Sequence, residues 1–204
     1  NKILPGKEML PESPDTTHFS VADKYGNVVS NTYTLNSGFG SGIVIDGTGI
    51  LMNNEMDDFV SAPGIPNQFG LIGGEANKIE PFKRPLSSMT PTLIFQNKKP
   101  IIATGSPGGS MIITSVLQLI LNTLDFKMEI SDATLAPRIH HQWKPDVLRL
   151  EKGFDVHHAE TIKSLGQPIY FSGPGTSLET IELKNNLFYG FGDTRRPDSK
   201  AKGL

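Results

Sequence analysis

Thr16-Thr17-His18-Phe19-Ser20-Val21 is the stretch on which the reading of this chain turns. It follows an irregular, proline-rich segment and opens a run of strand-like composition. Thr17 to Ala22, the turn Asp23-Lys24-Tyr25-Gly26-Asn27, and Val28 to Leu35 predict a β-hairpin. A threonine that opens a strand is ordinary. A threonine released as a new N-terminus carries its own base, because a free α-amino group titrates at about 7.7–8.0. A fraction of it is neutral near pH 7 and takes the proton from the hydroxyl of the same residue. The chemistry therefore depends on whether the Asp15–Thr16 bond is cut.

Upstream, residues 1–15 hold Pro5, Pro11, Pro14 and Gly6 and few apolar residues, which predicts a mobile tail. Downstream, Gly42 to Ile45 and Gly49 to Met52 read as short strands around Asp46-Gly47. Residues 60–85 read as a long Pro- and Gly-rich loop, and such loops in compact domains are functional or mobile. Thr92 to Phe95 and Pro100 to Thr104 predict a second hairpin around Asn97-Lys98-Lys99. Ser110 to Asp125 is the clearest helix. Its apolar positions cover most of the circumference, which predicts burial between layers. Ser131 is placed to cap a short helix ending near Pro137. His158 to Leu165, stopped by Gly166, predicts a surface helix. Ile169 to Phe171, Leu178 to Leu183 and Leu187 to Phe191 read as strands. Strands on both sides of buried helical sequence imply stacked layers, and short turns imply largely antiparallel sheets.

With 204 residues, 37% hydrophobic content and a formal charge of −2, the chain reads as one large globular domain. That charge does not favour nucleic acid or an acidic membrane. Cysteine is absent, which excludes disulfides and thiolate chemistry. Asn1 to Gly6 has no apolar signal region, and the missing initiator Met fits an excised piece or a processed product. The apolar-rich stretch from Met111 to Leu121 is too short and too polar to span a bilayer.

A Thr nucleophile needs a neighbouring hydroxyl to orient it. Thr32 and Thr34 share one face of the hairpin's second arm, although Thr also simply suits strands. Ser106-Pro107-Gly108-Gly109-Ser110 enters the buried helix, where consecutive glycines let backbone amides approach developing negative charge; an ordinary loop-to-helix turn is the alternative. Glu55, Asp57 and Asp58 lie at a strand end, placed to hold an ammonium group or merely to be solvated. Ser87-Ser88 can donate to a carboxylate. The pairs His140-His141 and His157-His158 lack the i, i+4 spacing of a helical metal motif.

Six motifs together resemble the small, C-terminal subunit of γ-glutamyltransferases: Thr16 to Val21, Asn31 to Asn36, Asn53 to Phe59, Lys83 to Met89, Gly105 to Gly109 and Ala136 to Trp143. Their order and spacing match the family over nearly the whole chain, to Gly192-Asp193-Thr194-Arg195. The resemblance implies an α+β fold, the four-layer αββα sandwich of the N-terminal nucleophile hydrolases, with this chain as its C-terminal half. It implies a catalytic domain over 16–204 and, over 1–15, a flexible remnant of the large subunit's C-terminus. Autocleavage falls between Asp15 and Thr16, and Thr16 is then the nucleophile. Thr34 bonds the Thr16 hydroxyl, and Gly108 and Gly109 supply oxyanion amides. Asn36, Glu55 and Asp58 bind the α-amino end of a γ-glutamyl group, and Ser87 and Ser88 its α-carboxylate. Pro63 to Gly74 resembles a lid in which Phe69 takes the place of an aromatic gate, often Tyr.

The implied reaction is attack on glutathione or another γ-glutamyl donor, then transfer of the acyl group to water, an amino acid or a peptide. No metal or organic cofactor is needed. The expected partner is the large subunit in a heterodimer, and the expected location is periplasmic or secreted. Two departures stand out: residues 1–15 are still attached, and the large subunit is missing, so the chain alone is expected to be inactive and to expose apolar surface. The competing readings are a non-catalytic remnant and a relative with another donor, such as a β-lactam side-chain acylase or a poly-γ-glutamate transpeptidase. Glu55, Asp58, Ser87 and Ser88 favour a free glutamyl α-carbon end over both of those donors.

Overall fold

The computed structural model describes residues 16–203. The expected tail, including Asp15, lies outside the described residues.

The opening hairpin forms, but its second strand ends at Tyr33, short of the predicted Leu35, so Thr34 lies outside the ladder. β1 (Thr17–Ala22) and β2 (Val28–Tyr33) pair antiparallel, with His18 opposite Thr32 and Ser20 opposite Ser30. Asp23 closes the turn by accepting from the amides of Tyr25 and Asn27. Alternation splits the hairpin into two faces. His18, Ser20 and Ser30 face the protein, whereas Phe19, Val21, Val29 and Tyr33 are exposed. β3 (Val44–Ile45) and β4 (Ile50–Leu51) form a small second ribbon.

The central sheet combines β5 (Thr92–Gln96), β6 (Lys99–Thr104), β10 (Glu179–Lys184) and β11 (Leu187–Gly192) in the order β11-β10-β6-β5, all antiparallel. α1 (Met111–Leu124) and α2 (Ile130–Leu135) cover one face. Ile112, Val116 and Leu119 of α1 meet Ile130 and Ala133 of α2 and Leu178 in one buried cluster, with Phe191 against it. The opening hairpin covers the other face: the Ser20 hydroxyl donates to the Glu179 carbonyl and the Ser30 hydroxyl to that of Thr104. The order helix, sheet, hairpin supplies an α-β-β part of a layered sandwich.

Several boundaries differ from the predicted ones. Ser131 is not a cap: α2 begins at Ile130 after Glu129, without a side-chain cap. Burial of Ile130, Ala133 and Thr134 sets that helix start. α1 is buried on one face only, with Ile113 and Leu117 about half exposed. The last helix, α3 (Val156–Ser164), starts two residues early because the Asp155 carboxylate accepts from the His158 amide. β7 (Ile139–His140) and β8 (Leu148–Glu151) were not predicted. With β9 (Ile169–Ser172) they form a third sheet, in which β8 and β9 run parallel. Both missed strands are too short to display a period.

Beneath the central sheet's end lies a buried ion network. The Arg138 guanidinium meets Asp193, and Arg195 meets Asp193 and Glu151. Asp193 has no exposed surface and Arg138 is buried. Both arginines also donate to carbonyls: Arg138 to Thr134 and Thr176, Arg195 to Thr134, Leu135 and Ala136. Burial alone raises a carboxyl pKa, but the charge and hydrogen bonds of Arg138, helped by the Leu178 and Arg195 amides, hold Asp193 below the usual range.

Among the described residues, no helix is long and apolar enough to cross a membrane.

Candidate active site

Thr16 precedes β1 and is buried, and its hydroxyl donates to the Thr34 hydroxyl at 3.0 Å. Thr34 lies just past the end of β2, where the chain leaves the ladder. Its oxygen also accepts from the Asn36 amide at 2.9 Å, which fixes its rotamer. The spacing of Thr32 and Thr34 left their roles open. Thr32 instead meets His18 Nδ1 at 2.8 Å, while His18 Nε2 lies 3.2 Å from the Ser20 hydroxyl. Burial lowers the His18 pKa from 6.5 to about 4, so the ring is a neutral strut at physiological pH. It stacks so closely on Gly105 that a Cβ there would lie 2.2 Å from the ring. Arg196 holds the Thr16 carbonyl at 2.9 Å.

Gly108 and Gly109 both have positive φ, 129° and 55°. Their carbonyls accept from the Met111 and Ile112 amides and so start α1. A Cβ on Gly108 would lie 2.4 Å from the Gly175 carbonyl oxygen, so only glycine fits this approach. The strand of chain behind it is held by the ion network, through Arg138 to Thr176 and Asp193 to the Leu178 amide. Ser106 adds a bond from the Ser177 amide.

Thr16, Thr34, Asn36, Asp58, Phe69, Ser87, Ser88 and Gly109 line one cleft, together with Met89 and Ile112. Of the described residues singled out in the sequence, Thr32, Glu55, Asp57 and Gly108 do not line it. Gly108 lies one residue behind Gly109. Glu55 opens the short 3-10 turn Glu55–Asp58 beside Asp58. Its Oε1 is buried without a partner. Burial, the hydrogen bond shared with Asp58 and that residue's charge push the Glu55 pKa up from 4.5 to about 7. Burial likewise raises Asp58, and Asp57 adds to it, against the hydrogen bond with Glu55. The two carboxyls therefore share a proton near neutrality, and a cation placed against them would release it.

Sequence reasoning missed what carries these groups. Asn77 donates to the Asp58 carbonyl at 2.8 Å and accepts from the Leu86 amide at 3.0 Å. One side chain thus sets the acidic turn against the serine loop. Its only sequence signal is a polar residue in a loop. The tip of loop 63–74 is held on one side by Asp57, which accepts from the Gln68 amide, and by Ser37, which donates to the Gln68 side chain. No group of three or more His, Asp or Glu suited to a metal ion occurs among the described residues.

The sequence model of the gamma-glutamyltranspeptidase family matches residues 4–203. The chain is 48% identical over 204 residues to the glutathione hydrolase proenzyme of Escherichia coli K12, covering 100% of this chain and 35% of that protein. It spans about a third of the length of such curated relatives. Among solved structures it is similar to the T380A mutant of Helicobacter pylori gamma-glutamyltranspeptidase, with 50% identity and a TM-score of 0.85 over 88% of this chain and 100% of that one. The Pseudomonas nitroreducens gamma-glutamyltranspeptidase complexed with L-DON gives 40% identity and 0.85 over 92% and 98%. These likenesses fix the fold as the α+β architecture of N-terminal nucleophile hydrolases. A threonine-centred cleft on that fold, matched in sequence along nearly its whole length, means that the chain belongs to the gamma-glutamyltranspeptidase family.

Proposed function

We propose that this chain is the catalytic part of a γ-glutamyltransferase and glutathione hydrolase. The observation that carries the reading is the 3.0 Å bond from the Thr16 to the Thr34 hydroxyl, set in the cleft shared with Gly109, Asp58, Ser87 and Ser88. Cleavage of the Asp15–Thr16 bond frees the Thr16 amine. That amine takes the hydroxyl proton as Oγ1 attacks the donor's γ-carbonyl, while Thr34 holds the hydroxyl in line. The amides of Gly108 and Gly109 stabilise the oxyanion. Collapse expels the amine and leaves a γ-glutamyl ester on Thr16, which water or an amino acid or peptide acceptor then resolves. Asn36, Glu55 and Asp58 hold the donor's α-ammonium, and Ser87 and Ser88 its α-carboxylate. Phe69, at the tip of the lid, shields the ester. No metal or organic cofactor enters these steps.

The partner is the rest of the same proenzyme, a large subunit that forms a heterodimer with this chain. It would cover the exposed Phe19, Val21, Val29 and Tyr33 of the hairpin and complete the αββα sandwich. The location is periplasmic or secreted. In the full-length proenzyme, intact mass and N-terminal sequencing should reveal a chain starting at Thr16, together with hydrolysis of a γ-glutamyl anilide. A proenzyme that stays uncut and inactive would make the chain a non-catalytic remnant.

A further inference from the structure

Gln142 follows β7 and serves none of the roles assigned above, yet its side-chain amide is fully engaged. Nε2 donates to the Lys144 carbonyl at 3.1 Å and the Phe69 carbonyl at 3.4 Å. Oε1 accepts from the Ser110 hydroxyl at 2.7 Å and faces His140 Nε2 at 2.9 Å. The amide has only one consistent orientation, because a flip would set its oxygen against two carbonyl oxygens. His140 Nε2 must therefore donate. Burial pushes the His140 pKa below its usual value, so the ring is neutral with its proton on Nε2. Nδ1 then accepts from the Thr114 hydroxyl of α1 at 2.9 Å.

These partners belong to two functional loops. Ser110 directly follows Gly109 and precedes α1. Phe69 is the tip of loop 63–74, inside a turn closed by Gly70 to Asn67 and Asn67 to Leu71 backbone bonds. The tip's other flank is already tied to Asp57 and Ser37 through Gln68. Gln142 completes a second tie, from the lid to the loop that opens α1.

We infer that Gln142 is a positioning residue that latches the lid tip to the oxyanion loop and thereby sets how the acyl-enzyme divides between water and amine acceptors. The inference rests on the acyl-transfer reading above. The latch is graded. The 3.4 Å bond to Phe69 lies at the long end of the hydrogen-bond range and breaks first, while the Ser110–Gln142–His140 link persists as the lid opens.

The test uses the processed full-length enzyme as wild type, Gln142→Glu and Gln142→Met. Glu keeps the acceptor for Ser110 and His140 but turns an oxygen toward the Phe69 and Lys144 carbonyls. Met keeps the length and removes both ends without adding charge. Hydrogen exchange over residues 67–71 should accelerate about tenfold in both variants, the loss expected of one hydrogen bond. The transfer-to-hydrolysis ratio with a γ-glutamyl anilide and a dipeptide acceptor should fall about threefold or more. That ratio does not depend on how much enzyme is active. Unchanged exchange in both variants overturns the inference, as does an unchanged ratio in a variant whose lid exchanges faster. A wild type without γ-glutamyl turnover sinks the proposed function instead, and the exchange data alone then decide the latch.

Discussion

Two groups of carboxylates in this chain, one around the buried Asp193 and one half-buried, behave in opposite ways. Asp193 and Glu151 sit among Arg138 and Arg195, every charge opposed and most donors used. Glu55 and Asp58 share a turn whose Asp58 lines the cleft; among the described residues neither has an ion-pair partner, and Glu55 Oε1 is buried without a hydrogen bond. Environment pushes their pKa values apart: Asp193 falls below the usual range, whereas Glu55 rises to about 7. A carboxylate compensated from within the chain is architecture. A pair left uncompensated is suited to a cation from outside, which in the proposed function is the α-ammonium of a donor. The structural network also stands directly behind the functional one, since Arg138 and Asp193 fix the chain that presses on Gly108.

The comparison is tested hardest by removing the nucleophile. Thr16→Ala should abolish autocleavage and lower turnover by more than about 10⁴-fold. A Thr16→Ala proenzyme that is still cut before residue 16, or still turns over, would remove Thr16 from the chemistry and leave the carboxylate pair without a reaction to serve. Next in size is Asp193→Ala, which strands the buried Arg138 and leaves Arg195 only Glu151, and should cost about 3–5 kcal/mol by denaturant unfolding. A change within error would reduce the network to ornament.

The pH dependence separates the two groups by sign. Glu55 titrates higher folded than unfolded, so its contribution to stability is present below its ordinary value of 4.5 and is lost as pH rises through about 7. Asp193 titrates lower folded, so its contribution is present above the ordinary value of 3.8 and is lost as pH falls through the depressed one. In the proposed function the donor ammonium binds the ionised pair, so the donor KM should drop as pH rises through about 7. Glu55→Gln should flatten that profile and raise KM about tenfold; a profile unmoved by the substitution removes Glu55 from recognition. Smallest is Phe69→Tyr, which adds a hydroxyl at the lid tip and should shift the transfer-to-hydrolysis ratio about twofold. An unchanged ratio would mean that the ring acts without regard to a hydroxyl donor.

The hairpin at Thr17, the glycine turn into α1 and the acid-rich turn were legible because each rests on local chemistry: alternation, positive φ, or charge density. The sheet of β7, β8 and β9 was not, because its members are two to four residues long and pair across distant sequence. Ser131 misled because a good capping residue does not set a helix start when a neighbouring isoleucine is buried. The roles of Gln142 and Asn77 carried no signal, since a loop amide looks solvated until its partners are seen, 73 and 32 residues away for Gln142 and 19 and 9 for Asn77.

Residues read one by one show which groups are available: a threonine ahead of the first strand, adjacent glycines before a helix, clustered acids and paired serines. Residue type and short-range spacing decide those, because nucleophilicity, backbone freedom and charge are local properties. Spacing left Thr32 and Thr34 open, and the family resemblance pointed to Thr34; packing sets Thr34 3.0 Å from Thr16 and Thr32 against His18. Packing also pairs Asp193, leaves Glu55 Oε1 without a partner, and sets the Gln142 side chain between the Phe69 carbonyl and the Ser110 hydroxyl. Those outcomes depend on distance, direction and burial, which arise only when segments remote in sequence pack together.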